Sequence, residues 1–222
     1  MISPMWAFMG GTFDPVHNGH LRTALEIQQW LGIERVALLP ANVPVHRQQP
    51  ERTAQQRLDM VRIAVADEPA LYVDEQGVLS TQPSYTVLTL IALRRTLGQE
   101  VPITMILGMD AYLSLPSWQR WQELLQLAHI VVVKRPGWVY KPDAVMRRVS
   151  RDYAVQDKEK LLTTPAGHVI FHELTPLGIS ATQVRNLIGG GHSPRYLIPD
   201  GVWDYIQQEQ LYGWSKTLEG KR

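Results

Sequence analysis

The chain has 222 residues, 45% of them hydrophobic and 19% charged, with a formal net charge of +1. That profile suits an ordinary globular protein, long enough for one α/β domain over residues 1–222 with a helical C-terminal elaboration from about residue 180. The absence of cysteine excludes disulfides and thiolate metal sites, and the near-neutral balance gives no bulk reason to expect a nucleic-acid partner. No apolar run is long enough to span a bilayer, and Met1-Ile2-Ser3-Pro4 lacks the basic and apolar segments of a secretory signal. No membrane partner is therefore expected, and the cytoplasm is the expected location.

Ile2 to Met9 reads as a buried first strand, Gly10-Gly11 as a turn, and Leu21 to Leu31 as a helix with Leu21, Leu25, Ile27 and Leu31 as core positions. Val36 to Pro40 follows as a second strand after the helix stop at Gly32, giving a parallel βαβ unit. The loop from Ala41 to Pro50 carries two potential cations, His46 and Arg47. A helix is predicted from Thr53 to about Asp67, with Leu58, Val61, Ile63 and Val65 apolar and Arg52, Arg57 and Arg62 as solvated charges. Leu71 to Val73 reads as a third strand, and Ser84 as the cap of a helix running to Leu97.

Ile103 to Leu107 reads as a buried strand with Gly108-Met109-Asp110 directly beyond it, the position at which ligands bind in doubly wound sheets. Pro116-Ser117-Trp118 is predicted to open a helix to Leu127, and Ile130 to Val133 to form a strand ending at Lys134-Arg135-Pro136-Gly137. Trp138 to Pro165, with its mixed charges, reads as a solvated helix and a mobile loop outside the site. Val169 to Phe171 returns to strand, Leu177 to Arg185 turns into a helix ending at the Gly189 to Gly191 run, and Asp200 is the expected cap of a last helix.

Chemistry concentrates in Gly10-Gly11-Thr12-Phe13-Asp14-Pro15-Val16-His17-Asn18-Gly19-His20. Glycines let backbone approach a ligand, a helix start favours an anion, and His17 and His20 at this spacing project to one side, so both can face a phosphate. Ser180 and Thr182, with Arg185 about one turn on, offer hydroxyls and a guanidinium to a second oxyanion; the same residues also read as an ordinary helix cap and a surface arginine. Asp110 suits ribose hydroxyls or a helix cap, and Trp118 a flat ring or core packing.

The first of these runs resembles the signature of the nucleotidylyltransferase superfamily that carries an HxGH element, and in particular that of the nicotinate-nucleotide adenylyltransferase family. Ile179-Ser180-Ala181-Thr182-Gln183-Val184-Arg185 is similar to the ISSTxxR element, departing at Ala181. Pro40 to Arg47, Pro83-Ser84-Tyr85-Thr86, Gly108-x-Asp110, Leu115-Pro116-Ser117-Trp118, Lys134-Arg135-Pro136-Gly137 and Tyr196-Leu197-Ile198-Pro199 match the family in the same order. Leu88 departs from it, where an acidic or polar residue is the pattern.

The resemblance implies a Rossmann-like doubly wound parallel sheet and transfer of an adenylyl group from ATP to nicotinate mononucleotide, giving deamido-NAD and pyrophosphate without a covalent intermediate. It assigns His17, His20 and Arg185 to catalysis. ATP falls to Gly10, Gly11, Thr12, Phe13, Gly108, Asp110, Arg135, Ser180 and Thr182. The mononucleotide falls to His46, Arg47, Ser84, Tyr85, Thr86 and Trp118. Mg²⁺ is expected to arrive with the ATP phosphates, with no metal site built wholly from protein. Nicotinamide mononucleotide is the alternative acceptor, and a non-catalytic nucleotide-binding module of this fold the alternative class. The oligomeric state is left open.

Overall fold

In the computed structural model, residues 5–42, 50–79, 84–134, 140–175 and 177–215 are described. Six strands, β1 (Trp6–Gly11), β2 (Val36–Pro40), β3 (Leu71–Val73), β4 (Ile103–Gly108), β5 (His129–Lys134) and β6 (Val169–Glu173), form one sheet in the order β3-β2-β1-β4-β5-β6. Every pairing is parallel. This is the doubly wound, Rossmann-like architecture, with the strand order reversing between β1 and β4. The helices are α1 (Asn18–Leu31), α2 (Ala54–Val65), α3 (Gln76–Leu79), α4 (Thr86–Leu97), α5 (Met109–Leu113), α6 (Leu124–Leu127), α7 (Ala144–Tyr153), α8 (Glu159–Thr163), α9 (Ala181–Gly189) and α10 (Asp200–Gln208). None of them, among the described residues, is long and apolar enough to cross a membrane.

Strand pleating divides the core into two layers, because successive side chains point to opposite faces. Ala7 and Met9 of β1 join Ala24 and Ile27 of α1, Met60 and Val61 of α2, and the C-terminal residues Val202, Ile206 and Trp214. Phe8 between them faces Leu90 and Leu93 of α4, Tyr112 of α5 and Met146 and Val149 of α7. Residues 144–153, expected within a solvated helix and mobile loop outside the site, therefore bury one face as α7. Leu161 of α8 is buried as well.

Several boundaries differ from the expectations for physical reasons. β1 continues through Gly10 and Gly11 because these pair with Leu39 and Pro40 of β2, so the two glycines end the strand rather than form a turn. α1 starts at Asn18, inside the histidine motif, and Leu21 and Leu25 are only half-buried. Trp118 does not open a helix: it ends a short 3₁₀ turn, Leu115–Ser117, and a second turn, Trp121–Glu123, precedes α6. Asp200 is the first residue of α10 and pairs with Arg195 instead of capping.

Arg57 is the largest correction. Expected to be solvated, it is 1% exposed, and its guanidinium donates to the carbonyls of Thr12 at 2.7 Å, Asn42 at 2.7 Å and Arg52 at 3.3 Å. Burial lowers its pKa, opposed by the nearby Asp14 carboxylate; an arginine remains charged regardless. A second buried arginine, Arg94, serves the opposite end of the sheet by donating to the carbonyls of Leu127, Val101 and Pro165.

Candidate active site

The glycine end of β1 and the start of α1 meet at the strand-order reversal. A Cβ on Gly11 would lie 2.9 Å from the ring of Phe13, so the buried Phe13 ring requires glycine there. A Cβ on Gly10 would meet nothing within 4 Å. Packing within the protein makes no such demand at Gly10, which is exposed at the end of the strand. Phe13 itself takes a left-handed backbone, φ 51°, which turns the chain sharply from the strand toward α1.

His17 is buried at the cap of α1, and its ring stacks on that of His20 with centroids 3.6 Å apart and planes inclined by 18°. A Cβ on Gly19 would lie 3.0 Å from His17 Nδ1, so glycine between the histidines leaves room for the stack. Phe13 makes a T-shaped contact with His20, 5.0 Å between centroids. The backbone N–H of His17 donates to His20 Nδ1 at 3.3 Å. With Nδ1 an acceptor, neutral His20 carries its proton on Nε2, which is thereby a donor. The first turn of α1 holds no acidic residue, so the positive end of the helix dipole is not neutralised from within.

The C-terminal motifs dock on this assembly. Asn18 donates its backbone N–H to Leu197 O at 2.8 Å and its side-chain amide to Tyr196 O at 2.9 Å, which ties the Tyr196 to Pro199 run to the start of α1. Arg185 of α9 donates from Nη1 to the carbonyl of Asp14 at 2.8 Å, lies 3.4 Å from Thr182 Oγ1 through Nη2, and pairs through Nε with Glu51 at 2.7 Å. Ser180 does cap α9, accepting from Gln183 N–H at 3.2 Å, and both Ser180 and Thr182 are exposed. Cap and oxyanion site are thus compatible, because a capping hydroxyl still has its own proton to donate.

Asp14 joins these parts and was missed as a functional candidate. Its buried carboxylate accepts the hydroxyl of Tyr212 at 2.6 Å and the backbone N–H of Glu51 at 2.7 Å. Burial first, then the Asp14 charge and hydrogen bond, raise the pKa of Tyr212, so the phenol stays a donor. Tyr212 lies in the short turn Leu211–Gly213 with φ 57°, where no periodic pattern marks it. Arg57, also missed, could have been noticed from its spacing, four residues before Val61 and eight before Val65 on the buried stripe of α2.

Of the remaining candidates, Gly108 ends β4, adjacent to β1, and Asp110 lies in the first turn of α5 and is exposed. Ser84 does not cap α4. Tyr85 occupies that position, and Ser84 Oγ accepts the backbone N–H of Asn42 at 3.0 Å. Since Asn42 O and Thr12 O both bind Arg57, the turn at Ser84 to Thr86 is wired to the end of β1 through one buried guanidinium. Trp118 is half-buried against the second core layer and donates from Nε1 to Ser114 Oγ at 3.3 Å. His46, Arg47 and Arg135 lie outside the described residues. A cleft beside Gly19 is lined by Thr23, Val133, Lys134 and Leu177.

A doubly wound sheet with an anion-ready helix start, stacked imidazoles and a facing arginine at its switch point defines a nucleotide-handling protein. Residues 8–187 match the family described as cytidylyltransferase-like. A relative from Hahella chejuensis, described as a "probable nicotinate-nucleotide adenylyltransferase", is 48% identical over 92% of this chain and 94% of its own. One from Marinobacter nauticus with the same description is 45% identical over 98% of this chain and 100% of its own. The chain therefore belongs to the cytidylyltransferase-like nucleotidyltransferases and, within them, to the nicotinate-nucleotide adenylyltransferase family. The fold is also that of the Plasmodium falciparum nicotinic acid mononucleotide adenylyltransferase complexed with NaAD, at a TM-score of 0.68 and 16% identity over 94% of this chain and 97% of that one.

Proposed function

We propose that this nucleotidyltransferase moves the adenylyl group of ATP to nicotinate mononucleotide, forming deamido-NAD and pyrophosphate in NAD biosynthesis, by direct in-line attack. The observation that carries the reading is the His17–His20 stack at the acid-free start of α1, with Arg185 held across the same loop by Asp14 O. The names of the relatives support the choice of substrates.

The 5′-phosphate of the mononucleotide is already an anionic nucleophile, so no base need activate it. A phosphate oxygen attacks the α-phosphorus, the bond to the β-phosphate oxygen breaks, and pyrophosphate leaves with the electron pair. The protein's task is to align two anions and stabilise the charge that shifts onto the leaving group. In this reading His20 donates Nε2–H to an α-phosphate oxygen, with His17 beside it and the backbone of Gly10 to Phe13 close to the phosphates. Ser180, Thr182 and Arg185 hold the β- and γ-phosphates. Asp110 accepts from the ribose hydroxyls beyond Gly108, and Arg135 borders the adenine or the phosphates. The turn at Ser84, Tyr85 and Thr86 reads the nicotinate carboxylate through backbone N–H groups, Trp118 lends a flat face, and His46 and Arg47 reach the mononucleotide phosphate.

In this reading Mg²⁺ arrives as a phosphate-borne ion. No group of three His, Asp or Glu among the described residues is placed to hold a metal, and Asp14, the acid within the motif, is already engaged by Tyr212 and Glu51. When bound, the ion neutralises charge on the triphosphate.

The test is pyrophosphate release from ATP and Mg²⁺ with nicotinate mononucleotide and its amide offered in parallel. Preference for the acid supports both the reaction and the carboxylate-reading turn. Equal rates discard that turn's role, and no release with either acceptor refutes the function.

A further inference from the structure

The guanidinium assigned to the triphosphate is already engaged by an anion of the protein's own. Arg185 Nε donates to Glu51 Oε1 at 2.7 Å, whereas Nη1 is fixed on the carbonyl of Asp14 at 2.8 Å. The two contacts differ in kind. The carbonyl belongs to buried backbone, but the Glu51 side chain is 50% exposed and that of Arg185 24% exposed, so the carboxylate can swing into water at small cost. Its backbone cannot follow, because Glu51 N–H is anchored to Asp14 Oδ2 at 2.7 Å. Glu51 is thus a tethered carboxylate beside a cation that is itself held in place.

We infer that Glu51 is a positioning residue that competes with the phosphates for Arg185: it occupies the guanidinium when the site is empty, is displaced by the triphosphate, and returns as pyrophosphate leaves. The inference rests on the triphosphate role given to Arg185 above. Competition of this kind weakens ATP and pyrophosphate binding alike. An enzyme that must shed a diphosphate product gains turnover from it wherever release limits the rate. Exposed ion pairs are weak, so the competition amounts to about two- to sixfold in affinity and leaves the substrate able to win.

The experiment measures binding of inorganic pyrophosphate by calorimetry, with and without Mg²⁺, to the full chain and to E51Q, R185Q and the double variant, each first shown to melt cooperatively. E51Q removes the charge and keeps the backbone anchor. The expected result is a dissociation constant about two- to sixfold lower in E51Q, weaker binding in R185Q, and no effect of E51Q in the R185Q background. Unchanged or weaker binding by E51Q, as a structural role or a role in holding Mg²⁺ would produce, overturns the competition while leaving Arg185 in place. Undiminished binding by R185Q overturns both.

Discussion

Replacing Tyr212 by Phe deletes one oxygen from a buried contact and leaves the ring in place. The hydroxyl donates to Asp14 Oδ1 at 2.6 Å, and both residues are about 5% exposed or less. The ring also keeps its contact with the Arg52 guanidinium, 5.1 Å from its centre. A hydrogen bond to a charged group contributes about 1.5 to 3 kcal/mol, and a chain of this size loses about 2 to 4 °C of Tm per kcal/mol. Y212F should therefore melt about 3 to 12 °C lower and show a reduced urea midpoint with an unchanged slope. The alkaline behaviour supplies a second readout. The folded pKa of Tyr212 is raised above its unfolded value, chiefly by burial. The associated stability is present below about pH 10 and is lost as pH rises from there toward the folded value. Y212F should flatten that alkaline limb. A loss under about 0.5 kcal/mol, or an unaltered limb, would refute the account of Asp14 and Tyr212 as a buried lock.

Arg57→Met keeps bulk but strips the donor from the carbonyls of Thr12, Asn42 and Arg52; a cost of about 3 to 5 kcal/mol in urea denaturation is expected, and one under about 1 would contradict its role. His129 is fully buried, and burial above all holds its pKa down, to about 4. Being depressed in the folded state, it contributes stability that is complete above about pH 6.5 and falls by about 3 kcal/mol toward pH 4. Denaturation at pH 7 and pH 5 should show the onset, and a His129→Gln variant should lack that part of the acid limb. His20→Ala should lower kcat on the order of a hundredfold or more with little change in ATP binding; unchanged turnover would remove His20 from the chemistry.

The sheet was legible because parallel strands buried on both faces read as continuous apolar runs, as Val36 to Pro40 and Ile103 to Leu107 do. The histidine motif was legible because glycine and histidine at fixed spacing leave few other readings. What escaped was polar and internal. Arg57 looks solvated to any rule that sends arginine outward, and only the carbonyls of two loops distant in sequence explain its burial. Asp14 was given no role of its own within the motif, although its two partners fix the loop, because Tyr212 lies 198 residues away. Residues 144–153 read as solvated because charge is dense there, yet the spacing of Met146 and Val149 carries one face into the core.

The Asp14–Tyr212 bond also has a consequence for the order in which the protein is made. The loop that carries Asp14 and the two histidines leaves the ribosome well before its locking hydroxyl, which lies 198 residues further along the chain. A nascent or truncated chain can lay down β1 and α1 but cannot close this bond. The loop that carries the histidines is thereby locked only once residue 212 has been made, and a fragment ending before it lacks the lock whatever else it has folded.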